Sequence, residues 1–160
     1  MWNYDPLMAS ELFTLAPENL YLSKIHVACP RFALSVRFVI AVAASGLVTG
    51  QNFIGIYDGG YNLIASSADL TSQLTGATGE ILADLVSPVI LSPGPKFIAF
   101  LFNGTLPPTL YAAPRPNADM SLHLAAPAPR FSSFPGPFSS LPASLTAGQQ
   151  MSTHSIWAGI

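Results

Sequence analysis

Residues 52–71, NFIGIYDGGYNLIASSADLT, decide the fold class because they encode two short strands around a tight turn. Residues 54–57 and 63–65 are apolar, and Asp58-Gly59-Gly60 lies between them. An aspartate followed by glycines that tolerate positive φ is typical of a β-hairpin turn. The stretch therefore predicts a hairpin with positive φ at the glycines, in which Asp58 is a hydrogen-bonding turn residue.

Apolar and polar residues alternate in three further segments, which predicts half-buried strands. In residues 21–29, Ile25, Val27 and Cys29 share one side, so we expect the Cys29 thiol to be buried. Residues 33–42 alternate for longer, and the short link between these segments predicts that they pair as an antiparallel hairpin. Residues 80–86 form the third alternating segment.

Residues 97–102, FIAFLF, are apolar on both faces. Such a strand is either central with both sides covered, or has its second side against a partner subunit. Residues 66–78 are rich in serine and threonine and predict a loop with one helical turn after Asp69. Residues 152–160 predict a last strand carrying Ile156 and Trp157.

These segments, with no amphipathic helix of ordinary length, predict an all-β protein of about eight strands. The expected architecture is an antiparallel β-sandwich, jelly-roll-like, in one domain spanning residues 1–160. Prolines recur in residues 106–137 and predict an extended segment, because proline fixes φ and removes a hydrogen-bond donor. We expect this segment to lie along a neighbouring subunit.

The composition predicts assembly, because only 9% of the 160 residues are charged and 50% are hydrophobic. Soluble domains carry about 25% charged residues, and apolar surface patches usually mark contacts with other proteins. The formal net charge is −2 and the six cations are scattered, which argues against nucleic-acid binding. We expect no signal peptide, because MWNYDPLMASE at residues 1–11 lacks a cationic start and a continuous apolar run. We expect no membrane-inserted segment, because the longest apolar stretch, residues 32–48, is interrupted by Arg37 and is too short to span a bilayer.

The sequence contains few groups with the spacing that catalysis or metal binding requires. His26, His123 and His154 are far apart, and the single cysteine excludes a CxxC site. We therefore predict no enzyme, no catalytic residue, no cofactor and no metal site. The acidic candidates for a hydrolase are Asp58, Asp69, Glu80 and Asp84, whose contexts are turns or strand surfaces. Asp58 and Asn62 could offer oxygen ligands to calcium, but the run of carboxylates typical of a strong site is missing.

Aromatic residues are the candidates for ligand binding, because a sugar ring can stack on an exposed aromatic ring. Trp2, Tyr4 and Tyr111 belong to this group. For Tyr57 and Trp157, which lie in strand-like segments, packing is the favoured interpretation. Tyr61, at the tip of the hairpin, is the predicted ligand-binding residue, although packing is an equally good interpretation of it.

Three stretches resemble a β-sandwich domain of tail proteins from tailed bacteriophages, notably those of actinobacteria. The first is GLVTGQNFIGIYD at residues 46–58, followed by LIA and AD at residues 63–65 and 68–69. The second is IAFLFNGT at residues 98–105, and the third is LPASL at residues 141–145 with Trp157-Ala158 after it. The opening WNYDP at residues 2–6 is also similar to that family.

The resemblance implies a virion structural protein, made in the host cytoplasm, in a minor tail, fibre or host-receptor-binding position. Together with the low charge, it leads to the hypothesis of a homo-oligomer, with a trimer favoured, that contacts other virion proteins. A host surface glycan is a further candidate partner. A capsid decoration protein and a carbohydrate-binding module of the same fold are the alternatives. The phrases that match are turns and strands, so the resemblance supplies no catalytic residue.

Overall fold

The computed structural model describes residue 3 and residues 9–113, 131–146, 150–151 and 155–160, with the backbone alone at residues 150–151. In this part of the chain, two antiparallel sheets of six strands each form an all-β sandwich, which confirms the predicted fold class. The elements are β1 (Glu11–Thr14), β2 (Leu20–Val27), β3 (Arg31–Val42), β4 (Ser45–Tyr57), β5 (Leu63–Ser66), α1 (Thr71–Leu74), β6 (Gly79–Leu91), β7 (Gly94–Leu106), β8 (Thr109–Ala113), β9 (Phe131–Phe134), β10 (Gln150–Met151), β11 (Ser155–Ile156) and β12 (Ala158–Gly159).

The first eight strands are divided between the two sheets, and the last four strands extend them. In the first sheet, β1 pairs with β8, β8 with β3, and β3 with β6. The C-terminal strands join the same sheet, since β11 pairs with β8 and β12 with β3. The second sheet has the order β10-β9-β2-β7-β4-β5. Of the first eight strands, β4 and β5 are the consecutive pair that stays in one sheet, and they form the predicted hairpin.

The connection between β2 and β3 crosses from one sheet to the other. β2 pairs with β7 and β9, whereas β3 pairs with β6 and β8, so the predicted hairpin between these strands is wrong. Placing the strands in opposite sheets lets both turn their apolar sides toward one shared core. The prediction of a buried Cys29 is also wrong: the thiol is exposed because Cys29 lies in the crossing, beyond the end of β2 at Val27.

The alternation along β3 is interrupted by an irregular pairing with β6. Val36 and Phe38 face the core as the sequence predicts, but Ala33 is buried and Leu34 is exposed. The pairing register shifts between Ala33 and Ser35, which pair with Val89 and Asp84, so that five steps along β6 correspond to two along β3. A bulge changes which face successive residues occupy, so Leu34 lies on the outer face of the first sheet.

β7 is the central strand of the second sheet and is covered on both faces. Ile98, Phe100 and Phe102 pack in the core between the sheets. Phe97 and Leu101 face the other way and pack beneath residues 134–145, which we call the strap. The chain itself therefore covers both sides of this strand, and the apolar run at residues 97–102 needs no partner subunit.

The ends of the proline-rich segment belong to the sandwich. β8 lies between β1 and β3 in the first sheet, and β9 pairs with β2 in the second. The expectation that residues 106–137 lie along a neighbouring subunit is therefore wrong for both strands, whose residues Leu110, Ala112 and Phe131 are buried. Residues 114–130 lie outside the described residues.

Two leucines of β7 provide a matched test of this three-layer arrangement. Leu101 is fully buried beneath the strap, whereas Leu106 is 60% exposed at the end of the same strand. We expect Leu101→Ala to lower the free energy of unfolding by about 2–5 kcal/mol, because it opens a cavity. Leu106→Ala should change it by less than about 0.5 kcal/mol. Urea denaturation measures both, and equal losses would contradict the covered outer face of β7.

Candidate functional site

The turn between β4 and β5 is organised by the carboxylate of Asp58. Asp58 Oδ1 accepts hydrogen bonds from the backbone amides of Gly60 at 2.8 Å and Asn62 at 2.9 Å. The backbone amide of Asp58 donates to the Asn62 carbonyl at 2.9 Å and closes the turn. The hydrogen bond from the Asn62 amide is the main reason why the pKa of Asp58 lies below its ordinary value. Asp58 has the turn role that its sequence context predicts.

The left-handed residue of this turn is Tyr61, with φ of 65°, and not a glycine. The expectation of positive φ at Gly59 and Gly60 is wrong. The chain has already reversed its direction before Tyr61, and in this turn only Tyr61 takes the left-handed conformation. The two glycines are suited to this turn for another reason, which is that a Cβ atom at either position would crowd a neighbouring residue. A Cβ on Gly59 would lie 3.1 Å from Pro95, and one on Gly60 would lie 3.3 Å from Asn62 Nδ2.

The ring of Tyr61 is half-buried against the outer face of the second sheet. It stacks on Phe97 with centroids 4.8 Å apart, and Phe134 meets it edge-on at 6.3 Å. The Tyr61 carbonyl accepts a hydrogen bond from the amide of Leu145 in the strap. Phe97 therefore covers one face of the Tyr61 ring. The contacts of Tyr61 with Phe134 and Leu145 join the hairpin to the strap. Ligand binding at Tyr61 stays a prediction.

The other predicted aromatic residues differ in exposure. Tyr57 and Trp157 are buried, as the packing interpretation predicts. The Tyr57 hydroxyl donates to the Pro142 carbonyl at 2.8 Å, and burial raises the pKa of this hydroxyl. Tyr111 is exposed on the first sheet, while Trp2 and Tyr4 lie outside the described residues.

Asn52 forms the centre of a buried polar network that the sequence reading did not identify. Its Nδ2 donates to the Val48 carbonyl and to Thr71 Oγ1, and its Oδ1 accepts from the Asn103 amide at 2.9 Å. Its backbone amide donates to Asp69 Oδ1 at 3.1 Å. Because buried polar groups need partners, this side chain holds β4, β7 and the start of α1 in one arrangement.

Asn103 extends the network to the edge of the sandwich. Its Oδ1 accepts a hydrogen bond from the Glu18 amide, and its Nδ2 donates to the Phe138 carbonyl and to Gln51 Oε1. Asn103 belongs to an Asn-Gly-Thr sequon, but its side chain is buried and fully engaged. The signal that could have revealed both asparagines is their position: each lies directly beside the apolar run of its strand, at residues 53–57 and 97–102.

The remaining titratable groups are dispersed over the described residues. Asp69 belongs to the network, Glu80 forms an ion pair with Arg37 at 3.1 Å, and Asp84 and His26 are exposed. Within the described ranges, no group of three or more histidine, cysteine, aspartate or glutamate side chains is placed to hold a metal ion. His123 and His154 lie outside the described residues.

No protein-family model matches the chain, and no curated protein matches it. Among the described residues, no helix has the length and apolar character needed to cross a membrane.

Tyr61 can be tested with two substitutions that separate its ring from its backbone. Tyr61→Ala and Tyr61→Gly both remove the stacking on Phe97, but glycine adopts positive φ without strain. We expect Tyr61→Gly to be more stable than Tyr61→Ala by about 1 kcal/mol, and both to be less stable than the parent. Urea denaturation gives the order. If both variants matched the parent in stability, the packing role of the ring would be refuted.

The pH dependence of stability provides a test of Asp69. Burial raises the pKa of Asp69, but hydrogen bonds from Thr71 and from the amides of Gly50 and Asn52 outweigh it, so the folded-state pKa is lowered. A lowered folded-state pKa stabilises the protein above the ordinary aspartate value of about 3.9. This stabilisation is lost as the pH falls through the folded-state pKa.

We therefore expect Asp69→Asn to reduce the free energy of unfolding at pH 7 and to lessen its decline between about pH 5 and pH 2. Asp58→Asn, in the hairpin turn, is the parallel variant, because the pKa of Asp58 is lowered as well. Urea denaturation at a series of pH values measures both effects. An unchanged acid decline in both variants would show that these carboxylates do not set the acid stability.

Proposed function

We propose that this protein is a structural component of a bacteriophage particle, in a tail, fibre or receptor-binding position. It acts through its surfaces, by assembling with copies of itself and with other virion proteins, and by contacting the host surface. The proposal draws on the resemblance of its sequence to phage tail domains and on the way the matching stretches meet in space.

The observation that carries the proposal is that all three matching stretches pack against one another. Asn52 in the first stretch accepts a hydrogen bond from the Asn103 amide in the second. The hydroxyl of Tyr57 in the first stretch donates to the Pro142 carbonyl in the third. The matching stretches are therefore neighbours in the fold, as the resemblance to a single domain requires.

Two glycines of these stretches support the same conclusion through close approach. A Cβ on Gly104 would lie 2.6 Å from the Gly46 carbonyl oxygen, and one on Gly55 would lie 2.7 Å from Leu141 Cδ1. Real Cβ atoms are not found at such distances, so both positions require glycine or a shift of the neighbour. The matching residues thus include a close approach between the neighbouring strands β4 and β7, at Gly104, and one between β4 and the strap, at Gly55.

The strand order supports a jelly-roll-like sandwich. The first eight strands lie in the orders 1-8-3-6 and 2-7-4-5, so successive strands change sheets except at the β4–β5 hairpin. A jelly roll is a double sheet of eight strands built in this alternating way, and it occurs in viral capsid proteins. Because one fold hosts many functions, the strand order alone does not identify the role of the protein.

The proposal is tested on purified phage particles produced by the host that carries this sequence. We expect mass spectrometry to detect the chain in gradient-purified particles and immunogold labelling to locate it at the tail or its fibres. A host cytosolic protein followed through the same gradient is the control for contamination. Label on the capsid would favour the decoration alternative, and absence from particles despite abundance in the lysate would contradict a virion role.

A further inference from the structure

Asn103 and Gly104 form an Asn-Gly dipeptide, which is the only one in the chain. Asparagine followed by glycine is prone to spontaneous deamidation, because glycine has no side chain to hinder attack by its backbone nitrogen and is free to adopt the backbone angles that the reaction needs. The Gly104 nitrogen attacks Asn103 Cγ, the Cγ–Nδ2 bond breaks, and Nδ2 leaves as ammonia with the amide proton of Gly104. Water then opens the resulting cyclic imide at either carbonyl and leaves aspartate or isoaspartate at position 103.

The fold engages both polar atoms of the Asn103 side chain. Oδ1 accepts a hydrogen bond from the Glu18 amide, while Nδ2 donates to the Phe138 carbonyl at 2.6 Å and to Gln51 Oε1 at 3.1 Å. Asn103 is 2% exposed. Because Nδ2 is the leaving group and Cγ has to reach the Gly104 nitrogen, these hydrogen bonds must break before the imide forms. Buried polar groups that lose their partners are costly, so the closed structure opposes the reaction.

The backbone at Gly104 is confined as well. Gly104 lies in β7 and pairs with Leu47 of β4. A Cβ on Gly104 would lie 2.6 Å from the Gly46 carbonyl oxygen and 2.6 Å from Leu47 Cα, so β4 leaves little free space on that side. Formation of the imide bends the peptide between Asn103 and Gly104 out of the extended strand and disrupts its pairing. The reaction therefore requires this end of β7 to open.

The segment that meets the Asn103 side chain is the beginning of the strap, together with the loop between β1 and β2. The Phe138 amide donates to the Glu18 carbonyl at 2.9 Å, and the Gly136 amide donates to Asn19 Oδ1 at 3.0 Å. A Cβ on Gly136 would collide with the Glu18 carbonyl oxygen, so the strap lies directly against the loop. Separation of the strap from the loop releases the Phe138 and Glu18 partners of Asn103.

We propose that Asn103 is a deamidation site that the strap protects, and that its modification prevents the strap from closing again. An ionised aspartate has two acceptor oxygens and no donor, whereas Asn103 Nδ2 donates to the Phe138 carbonyl. In the product, a carboxylate oxygen and a carbonyl oxygen would face each other at a buried position, which is strongly unfavourable. Isoaspartate would also lengthen the backbone within β7. Chemical modification of opened chains in this way makes unfolding irreversible.

The protection is tested by comparing the folded full-length chain with the same chain in urea at one mildly alkaline pH. We expect peptide mapping by mass spectrometry to show that Asn103 deamidates at least about a hundredfold faster in urea, because the folded chain reacts only through rare openings. Asn62, which is exposed in the hairpin turn and followed by Leu63, is the internal control and should react slowly in both states. Equal rates at Asn103 in the two states would overturn the protection.

Gly136→Ala tests whether the strap controls access to Asn103. The added Cβ pushes the strap away from Glu18, so we expect deamidation in the folded chain to accelerate at least about tenfold. Ser139→Ala, at an exposed position of the strap, should leave the rate unchanged. If circular dichroism shows that Gly136→Ala is unfolded, Asn19→Ala replaces it, because this variant removes only the acceptor of the Gly136 amide. An unaltered rate in the folded variant would contradict control by the strap.

Asn103→Asp reproduces one product and tests the effect of modification. A protonated carboxyl can donate to the Phe138 carbonyl in place of Nδ2, so the folded state should raise the pKa of this aspartate above about 3.9. Relative to Asn103→Ala, its stability is then greatest below about pH 3.9 and is lost as the pH rises through the folded-state pKa. Glu18 in the adjoining loop and Asp69, which binds Asn52, are the same in both variants, so their titration cancels.

Urea denaturation from about pH 4 to pH 7 measures this difference, and we expect the ratio of the folding equilibrium constants of the two variants to fall at least about tenfold. A constant ratio, or an Asn103→Asp variant as stable as the parent at pH 7, would show that deamidation does not keep the strap open.

Discussion

The structure depends on one constraint, which is the burial of β7 on both faces. Its alternate residues, such as Phe100 and Leu101, are fully buried in opposite directions, so apolar groups must cover the strand from both sides. The first sheet supplies one cover and the strap supplies the other. Burying a large apolar side chain contributes about 1.5–3 kcal/mol, so both covers are strongly favoured. The sandwich is therefore a three-layer structure along this strand.

The same constraint explains where the polar side chains are used. Closing the layers leaves backbone groups at the edges that water cannot reach, and each such group needs a partner. Asn52 and Asn103 supply partners for the strap, β4 and the connection before α1. Polar residues inside the described core thus hold layers together. The outer face of the first sheet has no such cover among the described residues, and Phe32, Leu34 and Ile90 are exposed on it.

Much of the fold could be predicted from residue patterns, and the errors have identifiable causes. Period-two alternation correctly predicted β2 and the start of β6, and the apolar runs around Asp58-Gly59-Gly60 correctly predicted the β4–β5 hairpin. Pairing between β2 and β3 was mispredicted since alternation reports burial and not the partner strand. The bulge beside Leu34 and the left-handed φ of Tyr61 were also missed, because both depend on hydrogen-bond register with another segment.

The amino-acid sequence by itself determined that the chain is all-β, that residues 97–102 would be buried, and that Asp58 would close a turn. These features depend on side-chain polarity and on interactions between residues close in the chain. Only the tertiary structure decided which sheet holds each strand and that the strap covers β7. The burial of Asn103, whose side chain connects β7 to the strap, was also decided there. The tertiary structure also decided that the apolar residues of β3 and β6 share one outer face. Such features arise between segments far apart in sequence, where the geometry of the assembled layers selects the contacts.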